Sequence, residues 1–118
     1  MAPSSGPSKS ELLKGTLDML ILQTLTLQPL HGYAIAQHIE KLSDDVLSVE
    51  QGSLYPALER LLTKGLVTAK WAESPTRRQA RYYTITRAGR THLRAETTRW
   101  LRYTETVSDI LAAATRSA

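Results

Sequence analysis

The feature that most constrains this sequence is a change in hydrophobic period at Gly65. Before this glycine, apolar residues recur about every 3.6 positions, as they do along one face of a helix. The pattern predicts a helix at residues 11–27, a second at residues 32–42, and a third that begins between Glu50 and Ser53. Gly65 is well placed to end the third helix, because glycine readily adopts the left-handed backbone of a helix C-cap.

After Gly65 the period is two residues, which is typical of a β-strand with one buried face. Between residues 66 and 72, one face carries Val67, Ala69 and Trp71 and the other carries Leu66, Thr68 and Lys70, and residues 81–86 are rich in aromatic and β-branched side chains. We therefore predict a β-hairpin whose polar connection, residues 73–80, projects as a flexible tip. Thr86 is the predicted N-cap of a last helix that runs from there to about Leu111.

Three helices followed by a two-stranded wing are the order of a winged helix-turn-helix, in which the third helix enters the DNA major groove. The predicted fold class is therefore mainly α with a small β-hairpin. The last helix has no evident partner within the chain, and an isolated amphipathic helix is marginally stable in water, so we expect it to pair with a second copy. The predicted organisation is a disordered tail (1–10), a winged helix-turn-helix DNA-binding domain (11–86), and a dimerisation helix with a frayed tail (87–118).

Composition excludes several classes of protein. The 118 residues include no cysteine, so disulfides, thiolate zinc sites and cysteine nucleophiles are excluded. The length suits one domain and is too short for a two-domain enzyme. No apolar run approaches the roughly 18 residues of a membrane span, and we expect a soluble protein of the reducing cytoplasm.

Catalysis and metal binding lack candidate residues in the sequence. His31, His38 and His92 are not spaced as ligands on one helix face, and no nucleophile, base and acid stand in a recognisable order. We therefore expect neither an enzyme nor a bound metal or cofactor.

Positive charge is concentrated in the second half of the predicted DNA-binding domain. Residues 60–90 contain eight cations and one anion, Glu73, although the formal charge of the whole chain is only +4. A wing with Arg77 and Arg78 at its tip and Arg81 nearby is suited to phosphate contacts. The alternative is that a solvated hairpin simply carries polar side chains.

The start of the third helix is the predicted base-reading element. Gln51 and Ser53 can hydrogen-bond to base edges, and Tyr55 can contact sugar or phosphate. In the alternative interpretation, Ser53 only caps the helix and Tyr55 packs on the hairpin. The complete predicted DNA-binding set is Gln51, Ser53, Tyr55, Lys64, Arg77, Arg78 and Arg81.

The last helix carries side chains at alternating steps of four and three, which is the spacing of a helix-pair seam. The seam residues predicted to form a dimer interface or to bind an effector are Leu93, Thr97, Trp100, Thr104 and Val107. Threonines alternate with one large indole, so a twofold pairing leaves either a loose interface or a cavity walled by Trp100. An ordinary interface anchor is the alternative role for Trp100.

An ordered set of motifs between residues 11 and 90 resembles the PadR family of bacterial transcriptional regulators. The matching stretches are Leu12–Leu22, His31-Gly-Tyr33, Gly52–Leu58 with Arg60-Leu61, Gly65-Leu66, Arg81-Tyr-Tyr83, Thr86 and Gly89. The single last helix is similar to that of the short subfamily. The resemblance implies a dimeric repressor that leaves its operator when a small aromatic or phenolic compound, or a planar cationic drug, binds. It also implies that Trp100 from each subunit lies beside that compound.

The resulting functional hypothesis is a homodimeric repressor of a pseudo-palindromic double-stranded DNA operator. The alternative is a winged-helix adaptor whose basic face meets an acidic protein, without sequence-specific DNA binding.

Overall fold

The computed structural model describes residues 16–117, which form four helices and three strands. The predicted tail and the predicted beginning of the first helix lie outside the described residues. The helices are α1 (Leu17–Thr24), α2 (Gly32–Leu42), α3 (Gln51–Thr63) and α4 (Arg87–Ser117), and the strands are β1 (Leu30–His31), β2 (Val67–Glu73) and β3 (Gln79–Ile85). This order confirms the predicted fold class.

Helix α1 ends at Thr24, three residues before the predicted end. The hydroxyl of Thr24 donates to the carbonyl of Ile21, and the amide of Leu25 donates to the carbonyls of Ile21 and Leu22, which tightens the last turn. Leu27 is 89% exposed, so its apolar side chain does not extend the buried face of the helix. The chain turns here and enters the sheet.

Strand β1 was not predicted, because two residues have no measurable period. Leu30 pairs with Tyr83 and His31 with Tyr82, which makes a three-stranded antiparallel sheet in the order β1-β3-β2. The Nδ1 atom of His31 accepts a hydrogen bond from the amide of Ala34 at 3.1 Å and caps α2. This histidine therefore joins the sheet to the helix-turn-helix.

The hairpin is longer than predicted and its connection is shorter. Pairing continues to Glu73 opposite Gln79, which leaves only residues 74–78 between the strands. The turn is closed by backbone hydrogen bonds between Ser74 and Arg78 and between Arg77 and Ser74, and Arg77 has a left-handed φ of 67°. The expectation of a loose tip from residue 73 was wrong, because solvated polar residues can pair as strands when no apolar face marks them.

Helix α3 begins at Gln51, within the predicted window, and its last residue is Thr63, with the predicted left-handed glycine, Gly65, two residues later. Gly65 has a left-handed φ of 73°. Its amide donates to the carbonyl of Leu62 and the amide of Leu66 donates to the carbonyl of Leu61, which are the two hydrogen bonds of a Schellman motif. Pro56 is the sixth residue of the helix and is accommodated there without a helix break.

Helix α4 packs its first turns on the rest of the chain and then extends away. The hydroxyl of Thr86 accepts from the amide of Gly89 at 3.0 Å, which confirms the predicted N-cap. A Cβ on Gly89 would lie 2.1 Å from the carbonyl oxygen of Leu66, so only glycine allows this close approach. The helix continues to Ser117 rather than ending near Leu111, because residues 112–114 are alanines, the strongest helix formers.

The core lies between α1, α2, α3, the inner ends of β2 and β3, and the start of α4. Its largest fully buried side chains are Leu17, Ile21, Leu22, Leu25, Ile35, Leu54, Leu58, Leu61 and Val67. Across residues 16–117, no helix is both long and apolar enough to cross a membrane.

Candidate nucleic-acid interface

Helix α3 has one face in the core and one face in solvent. Leu54, Ala57, Leu58 and Leu61 are buried, and the opposite face presents side chains that include Gln51, Tyr55 and Glu59. The side chain of Glu50, the N-cap, makes no capping hydrogen bond. The first-turn amides of α3 are therefore not capped by the Glu50 side chain. Amides at a helix N-terminus are hydrogen-bond donors that suit phosphate.

The wing presents its inner face to α3. Alternate residues along β2 and β3 share one face, and Val67 opposite Ile85 belongs to the core. Four residues further out on the same face, Trp71 lies opposite Arg81 and is no longer covered by the core. The same face of the sheet thus passes from the buried core into solvent.

A groove of about 620 Å³ lies between α3 and this outer part of the wing. Three of the predicted DNA-binding residues, Tyr55, Arg78 and Arg81, line it together. Gln51 lies outside the groove and lines a smaller one between α2 and α3, Ser53 is half-buried, Lys64 is exposed at the end of α3, and Arg77 is exposed at the wing tip. The structure therefore brings together the middle of α3 and the wing, with the remaining predicted residues at its margins.

Arg81 is held by its own chain, which the sequence analysis did not foresee. Its Nη1 atom lies 3.1 Å from Oε2 of Glu59 on α3, and its guanidinium lies 5.8 Å from the ring centre of Tyr83. Burial raises the pKa of Tyr83, and the positive charge of Arg81 partly offsets that increase. Arg81 therefore connects the wing to α3 instead of extending as an unpaired cation.

Two more of the eight clustered cations have structural partners. Arg60 donates to both carboxylate oxygens of Asp18, at 2.7 and 3.4 Å, and this hydrogen bonding raises the pKa of Arg60. Arg90 donates to the backbone carbonyl of Thr26 at 3.0 Å. The other five are exposed and have no ion pair or side-chain hydrogen bond within the described part of the chain: Lys64, Lys70, Arg77, Arg78 and Arg87.

Sequence reasoning missed several aromatic residues of the groove. Trp71 is 66% exposed, and Tyr33 at the start of α2 is also exposed. A Cβ on Gly32 would lie 3.0 Å from the hydroxyl oxygen of Tyr55, so Tyr55 packs on the start of α2 while part of its ring faces solvent. The β-strand alternation could have placed Trp71 on the inner face, but it does not show where the core ends.

The predicted seam on α4 divides into a buried and an exposed part. Leu93 is only 6% exposed because it packs into the core of its own chain, so its assignment to an interface with another copy is corrected. Thr97 and Thr104 are half-buried, and Val107 is exposed. The hydroxyl of Thr104 donates to the carbonyl of Leu101 and is thereby satisfied within the helix.

Trp100 forms one wall of a small cavity beside α1. The indole is 40% exposed and its centre lies 6.4 Å from the ring of Tyr103. Met19, Glu96 and Arg99 complete a space of about 210 Å³. Within one chain this space is lined by two aromatic side chains, Trp100 and Tyr103, and is open to solvent.

Comparisons with known proteins agree with this architecture. The sequence profile of the transcriptional regulator PadR-like family matches residues 21–95. A PadR family transcriptional regulator from Eggerthella lenta is 33% identical with a TM-score of 0.71, and the match covers 86% of each chain. A PadR-like transcriptional regulator from Bacillus cereus is 28% identical with a TM-score of 0.74, over 86% of this chain and 97% of the other.

An uncharacterized protein of Lysinibacillus sphaericus is 25% identical over 99 residues, which span 84% of this chain and 91% of that protein. The profile match spans more than half of the chain and includes α2, α3 and the wing. With its winged-helix architecture and this match, the chain belongs to the PadR-like family of transcriptional regulators.

Proposed function

We propose that this protein is a homodimeric repressor that binds double-stranded operator DNA. The observation that carries the proposal is the groove between α3 and the wing, which is bordered by an exposed helix face and by Arg78, a cation with no ion pair among the described residues. Residues 11–86 would form the DNA-binding unit, with Gln51, Ser53 and Tyr55 at the major groove. Lys64, Arg77 and Arg78 would contact the backbone, together with Arg81 once it leaves Glu59.

Dimerisation is proposed from the exposed apolar side chains of α4. Trp100, Tyr103, Val107, Ile110 and Leu111 all remain accessible in the single chain. Apolar residues repeated along a protruding helix favour association with a second identical helix. Two copies related by a twofold axis would present two α3 helices to half-sites about 34 Å apart, so the operator would be pseudo-palindromic.

An aromatic or phenolic effector is proposed to bind near Trp100, where the cavity beside α1 opens along the seam. Binding would release the protein from DNA only if the effector prefers a dimer in which the two α3 helices have another separation. A regulator of this kind would act in the cytoplasm, where its promoter is located.

The direct test is a fluorescence anisotropy titration of the full chain with labelled duplexes from its own upstream region. Nanomolar binding to one duplex, at least a thousandfold tighter than to a scrambled duplex, would support a sequence-specific regulator. Weak binding to both duplexes with equal salt dependence would instead favour the protein-interaction adaptor.

A further inference from the structure

Glu59 is the only carboxylate among the described residues that line the groove between α3 and the wing. Residues four apart share a helix face, so Gln51, Tyr55 and Glu59 lie on the same side of α3, with Glu59 about two turns after Gln51. An acidic side chain among residues proposed to contact phosphate opposes sequence-independent affinity, so its presence there requires an explanation.

The geometry provides one through Arg81. Glu59 and Arg81 are 22 residues apart in sequence, and their 3.1 Å ion pair joins the exposed face of α3 to the inner face of the wing. The two side chains are 63% and 39% exposed, so the pair is accessible to solvent and to competing ions. Exposed pairs of this kind contribute little to folding stability, and a phosphate can displace the carboxylate.

The ion pair also has different consequences for sequence-independent and for sequence-specific DNA binding. A complex held only by phosphates must break the pair to use Arg81 and then keeps a carboxylate near the backbone. In a complex with α3 docked in the major groove, the Glu59 carboxylate can instead accept a hydrogen bond from a cytosine amino group. Phosphate offers no such donor, so the cost of Glu59 falls mainly on sequence-independent binding.

We propose that Glu59 is a specificity-determining residue, which withholds Arg81 from sequence-independent phosphate binding and so widens the gap between operator and non-operator affinity. This inference rests on the proposed DNA-binding function. It differs from assigning another DNA contact, since it predicts that removing a side chain from the interface tightens non-operator binding.

The test is a set of anisotropy titrations between 50 and 200 mM salt, with operator and scrambled duplexes. Glu59→Gln is expected to bind the scrambled duplex at least threefold more tightly at low salt and to lower the operator preference by a similar factor. One additional phosphate contact also steepens the plot of log affinity against log salt by about 0.9. Asp45→Asn is the matched control, because it removes the same charge at an exposed residue with φ 64°, a backbone conformation that asparagine tolerates.

A second background separates action through Arg81 from simple charge repulsion. In an Arg81→Gln protein, Glu59→Gln is expected to leave the salt slope unchanged, because the cation that it would release is absent. An equal increase in slope in both backgrounds, or equal behaviour of Glu59→Gln and Asp45→Asn, would overturn the inference while leaving DNA recognition intact. If the unaltered protein binds no duplex selectively, the proposed function and this inference fail together.

Discussion

Trp71 lies directly opposite Arg81 across the two long strands, and both side chains line the groove that faces α3. The next inward pair on this face, Ala69 opposite Tyr83, packs against the core. Trp71 thus marks the point at which a structural sheet face becomes an accessible one. A large aromatic side chain exposed beside an arginine is suited to contact deoxyribose and the backbone.

Trp71 is therefore expected to report DNA binding. The chain has two tryptophans, so Trp100→Phe leaves Trp71 as the only one. Its emission should change on addition of operator duplex, because the indole passes from solvent to the DNA surface. In the reciprocal Trp71→Phe protein, the emission of Trp100 should respond much less. Equal responses from both proteins would show that the wing face does not meet DNA.

Arg78→Ala is expected to weaken binding to every duplex by a similar factor and to flatten the salt dependence. Arg78 is exposed, lines the groove and has no intramolecular ion pair among the described residues, so its charge is available to phosphate. Loss of one contact should reduce the slope of log affinity against log salt by about 0.9. Arg102→Ala on α4 removes the same charge far along the protruding helix and should leave the slope unchanged. An unaltered slope in Arg78→Ala would remove the wing from the interface.

Whether a feature can be predicted from the sequence depends on how far apart in the chain its contacting residues lie. Gly65 and Thr86 end and begin helices through contacts within a few residues, so both boundaries were predictable. Arg60 and Asp18 are 42 residues apart, and Arg81 and Glu59 are 22 apart. No local pattern indicates these pairs, which is why counting the cations of residues 60–90 overestimated the charge available to DNA.

The burial of Leu93 also shows that a local sequence pattern does not reveal tertiary contacts, here along a single helix. Periodicity places Leu93 and Val107 on one stripe of α4, but it does not show where the helix leaves its own domain. That point is set by the packing of α1 and the sheet against the first turns of α4. The exposed part of the stripe, from Trp100 onward, is therefore the part proposed to meet another copy.

Two glycines are expected to respond in opposite directions to alanine. In Gly89→Ala, the added Cβ would lie 2.1 Å from the carbonyl oxygen of Leu66, and the forced shift of α4 should lower the free energy of unfolding by about 1–3 kcal/mol. In Gly52→Ala, the added Cβ meets nothing within 4 Å. The higher helix propensity of alanine should therefore raise the free energy of unfolding by up to about 1 kcal/mol. Urea denaturation followed by circular dichroism measures both. Equal destabilisation would contradict the close packing of Gly89 on Leu66.

Trp100→Ala is expected to preserve operator binding and to abolish release by aromatic compounds. The indole forms a wall of the α1–α4 cavity and does not line the wing groove, so its loss removes ligand contacts without changing the proposed DNA-binding face. The measurement is operator anisotropy in the presence of a panel of planar aromatic and phenolic compounds. Loss of operator binding itself would make Trp100 a structural anchor of the dimer instead.

Val107→Glu is expected to convert the protein into a monomer with the same helical content. Val107 is exposed in the single chain, so a charge there costs the isolated fold little, whereas two facing glutamates would repel each other along a twofold seam. Sedimentation should show one 13.1 kDa chain where the unaltered protein is expected to show two, and operator affinity should fall because two half-sites no longer bind together.

Thr98→Glu provides the matched control for this change. Thr98 precedes Val107 by nine residues, which places it on the opposite side of a helix with 3.6 residues per turn, and Trp100 precedes Val107 by seven, which places it on the same side. Thr98→Glu should therefore remain dimeric and bind the operator normally. If both variants stay dimeric, the subunits meet through another surface, and if both become monomers, the interface surrounds α4 instead of following the stripe of Trp100 and Val107.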